Sequence, residues 1–75
     1  MRTEKLAGHW FLIHGSIYYV DQQVNLDQLH CVMWTLGARY IEKYSGRVHK
    51  RVFRGVEPID SGTAKKMIIK SELKR

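Results

Sequence analysis

The sequence predicts one small α+β domain over residues 1–75. It combines an N-terminal antiparallel β-hairpin, one long central helix packed on a small antiparallel sheet, a third strand, and a C-terminal strand or helix. Three observations carry that expectation. An aromatic and β-branched stretch near the start is interrupted by Gly15-Ser16, a helix-start pattern begins at Asn25, and valines alternate with cations after Gly46.

The hairpin is read from "HWFLIHGSIYYV", whose runs 9–14 and 17–20 have strand composition. Gly15-Ser16 suits a two-residue turn, because glycine accepts a positive φ at the first central position. Trp10, Leu12 and Tyr19 then share one face, and Phe11, Ile13, Tyr18 and Val20 the other. Both faces are apolar, so both need cover.

The helix is read from its start. Asn25 is placed as N-cap with Gln28 three residues on, and Val24 and Leu29 are spaced as a hydrophobic staple. "LDQLHCVMWTLGARYIEKY" follows, and Ser45-Gly46 can close it. Leu26, Leu29, Met33, Leu36, Tyr40 and Tyr44 make its main stripe. Gln28, Thr35, Arg39, Glu42 and Lys43 gather on a narrow polar arc. The apolar arc exceeds what one small sheet covers. The flank with Trp34, Ala38 and Ile41 is therefore expected to meet the C-terminal segment, a second copy or a partner protein.

In "RVHKRVF" alternation sets Val48 and Val52 on one face and Arg47, His49, Arg51 and Phe53 on the other, as in a third strand. Gly55 and Pro58 end it. Beyond "IDSGT" two readings stand, with strand the nearer fit. Met67, Ile69, Ser71 and Leu73 alternate as in a strand, while Asp60 or Ser61 could cap a helix carrying Ala64, Met67 and Ile68 on one face.

Charge is unevenly placed. Residues 1–46 balance Arg2, Lys5, Arg39 and Lys43 against Glu4, Asp21, Asp27 and Glu42, so the whole net charge of +6 lies beyond Gly46. Such asymmetry suits an anionic partner. A hydrophobic content of 44% is too high for a disordered tail. Cys31 is the only cysteine, which excludes an internal disulfide and suits a reducing cytoplasm. No apolar run approaches a membrane span, and "WFLI" is too short for a signal-peptide core. No membrane association is expected.

Little in the sequence suggests catalysis. It lacks a nucleophile elbow, a phosphate-binding glycine loop, a dinucleotide fingerprint and a paired-histidine zinc motif. Neighbouring His30 and Cys31 would diverge by about 100° on a helix, so they would not act as base and nucleophile. His9, His14, His30, His49 and Cys31 have no metal-ligand spacing. No catalytic residue, metal, cofactor or small-molecule substrate is therefore expected.

The basic segment is the strongest functional signal. Arg47, His49, Lys50, Arg51, Phe53, Arg54, Lys65, Lys66 and Lys70 are the candidate nucleic-acid-binding residues. The cations would track phosphates of DNA or RNA, and Phe53 would stack on a base. Lys74 and Arg75 extend the same charge. The alternative is a protein-binding regulator, or an inhibitor of a cellular or host enzyme. It would act as a homodimer through Trp34, Ala38 and Ile41, with its cations on an acidic protein surface. Short, basic, motif-poor chains of this kind are common among bacteriophage and plasmid accessory proteins.

Overall fold

The computed structural model describes residues 6–36 and 41–73. Strands β1 (Trp10–Ile13), β2 (Ser16–Gln23), β3 (Gln28–Leu36) and β4 (Ile41–His49) form one antiparallel sheet in the order β1-β2-β3-β4. A short 3-10 helix, η1 (Lys50–Phe53), and a helix, α1 (Ser61–Leu73), follow. The α+β class therefore holds. The expected long central helix does not, because residues 28–36 build β3 and residues 41–44 begin β4.

The first hairpin forms with the expected faces. Trp10 pairs with Tyr19, Phe11 with Tyr18 and Ile13 with Ser16. That register makes His14-Gly15 the turn, one residue earlier than Gly15-Ser16. Both turn residues have positive φ, 49° and 78°. A turn of this hand matches the twist of the flanking strands, and histidine tolerates the left-handed region better than most side chains.

Asn25 and Gln28 do act together, but they close a strand connection. Asn25 Oδ1 accepts from the backbone N–H groups of Asp27 and Gln28, both at 2.9 Å. A helix N-cap makes the same local bonds. Here the Gln28 carbonyl accepts from Val24 and Asn25 N–H, which turns the chain back on itself. β3 then pairs with β2 on one side and β4 on the other. Leu29, Cys31 and Met33 point one way, while Val32 and Trp34 point the other. Apolar residues on both faces made the run look helical. Gly46 lies inside β4 opposite Cys31 and caps nothing.

Each face has its own cover. On one, Phe11, Val20, Leu29, Cys31 and Phe53 form a buried cluster, with Tyr18, Val48 and Val56 packed against it. Phe53 hangs from η1 and seats its ring 4.8 Å from Phe11 and 5.5 Å from Tyr18. On the other face Ile17 is fully buried. Trp10 and Trp34 stack there, with ring centroids 5.5 Å apart. α1 covers this side, contacting β1, β3 and β4 and burying Ala64 completely.

α1 settles the C-terminal ambiguity in favour of helix. Ile59 N–H donates to the Trp10 carbonyl at 2.8 Å, which anchors the chain beside β1 just before the helix starts. Asp60 is the cap. It accepts from Thr63 N–H at 3.1 Å and from the Thr63 hydroxyl at 2.7 Å. Ala64, Met67, Ile68 and Ser71 fall on the covered side of the helix, and Lys65, Lys66, Ile69 and Lys70 on the exposed side. Helical spacing thus absorbs Ile68, the residue that spoiled the strand pattern.

The third strand is also corrected. β4 stops at His49, and residues 50–53 turn in a three-residue period. Val52 therefore does not follow Val48 inward. It is 37% exposed, and Phe53, at 3%, is the anchor. Phe53→Ala is expected to lower unfolding free energy by about 3–5 kcal/mol, and Val52→Ala by about 0.5 kcal/mol. Urea midpoints measure both, and a reversed order would contradict this turn.

The bonds from Thr63, its hydroxyl first, hold the Asp60 carboxyl below the ordinary carboxylate value. A carboxyl with a depressed folded pKa stabilises above its unfolded pKa and loses that contribution as pH falls through the folded pKa. The gap in melting temperature between the native chain and Asp60→Ala should be full at neutral pH. It should close at acid pH, whereas a gap unchanged down to about pH 2 would refute the cap.

Candidate nucleic-acid interface

The basic turn is built by backbone constraints at the end of β4. Lys50 N–H donates to the Asp27 carbonyl at 2.7 Å, which ties η1 to the β2–β3 connection. His49 Nδ1 accepts from Arg51 N–H at 3.1 Å and caps the 3-10 helix. Arg54 N–H closes the turn on the Arg51 carbonyl at 3.1 Å. With Phe53 drawn into the core, Lys50, Arg51 and Arg54 are left exposed around one short turn.

These cations line an open groove of about 590 Å³. Phe11 and Phe53 supply its buried apolar base, Val56 and Pro58 line the following loop, and Glu57 is the carboxylate on its wall. Among the described residues, no lysine or arginine lies within 4.0 Å of a carboxylate. Among them a contact joins His30 Nδ1 and Asp21 Oδ2 at 3.5 Å. It is loose, since no hydrogen bond closes the gap. The three cations of the turn are thus uncommitted to acids among the described residues.

The structure divides the residues expected at this site. Lys50, Arg51 and Arg54 come together. Arg47 pairs in register with His30, two positions along β4 from Ser45, the partner of Val32. It therefore points to the α1 side of the sheet. Lys65, Lys66 and Lys70 belong to α1 on that same side, so the sheet separates them from the basic turn. His49 is half-buried with Nδ1 engaged in the cap. Phe53 is a core residue whose ring packs between Phe11 and Tyr18, leaving no open face for a base.

The expected apolar helix flank is likewise redistributed. Trp34 lies on β3, half-buried, stacked on Trp10 and with Lys43 Nζ 5.8 Å from its ring centre. Ala38 lies outside the described residues, as do Lys74 and Arg75, and Ile41 is placed only by its backbone at the start of β4. The surface proposed from Trp34, Ala38 and Ile41 on one helix is therefore absent in that form.

Cys31 is buried, and desolvation pushes its thiol up to about 11, which keeps it protonated at neutral pH. Among the described residues no three His, Cys, Asp or Glu side chains converge as metal ligands. No helix among them is long and apolar enough to cross a membrane.

One surface residue escaped the sequence reading. Tyr44 is 56% exposed on β4, on the Phe11 side of the sheet. The spacing Tyr44-x-Gly46 could have signalled it, because an edge-strand glycine accepts a neighbouring ring over its bare backbone. A helical reading hid that relation. No protein-family model matches the chain, and no curated protein or solved structure matches it either.

Proposed function

We propose that this chain is a small, non-enzymatic nucleic-acid-binding accessory protein that holds phosphates on Lys50, Arg51 and Arg54. One observation carries the reading. Three cations project from a turn whose backbone is fixed at both ends, and no carboxylate among the described residues lies within ion-pair reach. Cations held on a rigid turn lose less freedom on binding than cations on a mobile tail.

Phosphate contacts of this kind give affinity without base information, and they release counterions. Lys65, Lys66 and Lys70 lie across the sheet and add a diffuse positive field in this reading, not direct contacts. The competing reading is a homodimeric regulator with a protein partner. Its founding helical surface is replaced by strands, with Trp34 on β3 and Ile41 on β4.

Three phosphate contacts imply a log–log salt slope of about −2 to −3 for binding random-sequence nucleic acid. Removing any one cation of the turn with alanine should make that slope shallower by about 0.7–0.9. The triple change Lys65→Ala, Lys66→Ala and Lys70→Ala should leave it close to native. Fluorescence anisotropy at several salt concentrations measures these slopes. Loss of slope in the helix variant alone, or no binding by the native chain at low salt, would refute the proposal.

A further inference from the structure

The cover on the two sheet faces is unequal. One cross-strand row runs Phe11, Tyr18, Met33, Tyr44 through all four strands on the Phe53 side. Phe53 caps its β1–β2 end, where Phe11 is buried. At the other end Met33 is half-buried and Tyr44 is exposed. Cross-strand neighbours side by side on one face form a continuous surface. Here that surface passes from core to solvent.

Tyr44 is also laid down. A Cβ at Gly46 would sit 2.6 Å from Tyr44 Oη, 2.9 Å from Cζ and 3.0 Å from Cε2. The ring therefore occupies the space over Gly46 that any other residue would fill, pointing along β4 towards η1. The hydroxyl end of the ring covers the glycine, and the residue as a whole stays 56% exposed.

Charge around this ring is asymmetric. Towards η1 lie Lys50, Arg51 and Arg54, while in the opposite direction along β4 the next residue on the same face is the exposed Glu42. An anionic chain seated on the cations would extend over Tyr44 and stop short of Glu42. A flat aromatic ring beside a cationic track is how sequence-tolerant sites hold unpaired bases, since every base offers a π-face. A duplex keeps its bases stacked internally and offers none to such a ring.

We propose that the exposed Tyr44 ring is a base-stacking position and that the ligand is single-stranded nucleic acid, with phosphates at the basic turn. This rests on the phosphate-binding reading and adds strand state and base contact to it. The test compares a labelled single-stranded oligonucleotide, its abasic counterpart of equal length and a duplex, in deoxy and ribo forms. Native protein, Tyr44→Ala and Tyr44→Phe are titrated with each.

Tyr44→Ala should weaken single-strand binding roughly 5- to 150-fold without altering the salt slope. Tyr44→Phe should bind nearly as well as the native chain, because stacking uses the ring and not the hydroxyl. The native chain should bind the abasic strand about as weakly as Tyr44→Ala binds the normal one. That comparison needs no substitution, so a folding defect cannot imitate it. Equal affinity of the native chain for normal and abasic strands, or tighter binding of duplex, would overturn the stacking role and leave phosphate binding standing. Absence of binding to all three ligands at low salt would overturn both.

Discussion

A sheet that is apolar on both faces must be covered on both, and 75 residues supply little with which to cover it. This constraint shapes the molecule. β1 to β3 place Phe11, Val20, Leu29 and Cys31 on one side and Trp10, Ile17 and Trp34 on the other. α1 lies across the second side. The first receives a four-residue turn and one phenylalanine. Phe53 closes over the cluster of Phe11, Val20, Leu29 and Cys31, and the corner of that face at Met33 and Tyr44 stays open. The position of the exposed ring and that of the cations share one cause: Phe53 turns inward and its basic neighbours are left outside.

The basic C-terminal half looked like one field in the sequence and is two in space. The chain passes from η1 around the β1 edge, held there by the Ile59 to Trp10 bond, and continues onto the opposite side as α1. Residues 54–59, between Lys50–Phe53 and the helix cap, suffice to carry the charge across the sheet. Lys65, Lys66 and Lys70 thereby face away from Lys50, Arg51 and Arg54. Net charge was readable from composition, but its division depended on which face each element covers.

The first hairpin was readable because strand composition and a glycine turn agreed, with an error of one residue caused by the left-handed tolerance of His14. The segment from Asn25 to Tyr44 was misread for two physical reasons. The bonds from Asn25 Oδ1 to following N–H groups belong equally to a helix cap and to a tight strand connection. A strand buried on both faces also has no two-residue polarity to display, so Leu29 to Leu36 mimicked a broad helical stripe. β-branched and aromatic residues such as Val32, Trp34, Thr35 and Tyr44 carried the opposing strand signal. In the basic segment, alternation held through Val48 and failed at Lys50, where backbone bonds to Asp27 and His49 impose a tighter turn that the pattern of valines does not encode.

If the open end of the Phe53 face and the basic turn together form the contact surface, backbone amide NMR during titration with a short single-stranded oligonucleotide locates it most directly. Shift changes should concentrate at Tyr44 to Gly46 and from Lys50 to Val56, with the outer side of α1 nearly silent. Changes centred on Lys65 to Lys70, with none at the turn, would place the contact on the wrong side of the sheet and contradict this view of the molecule.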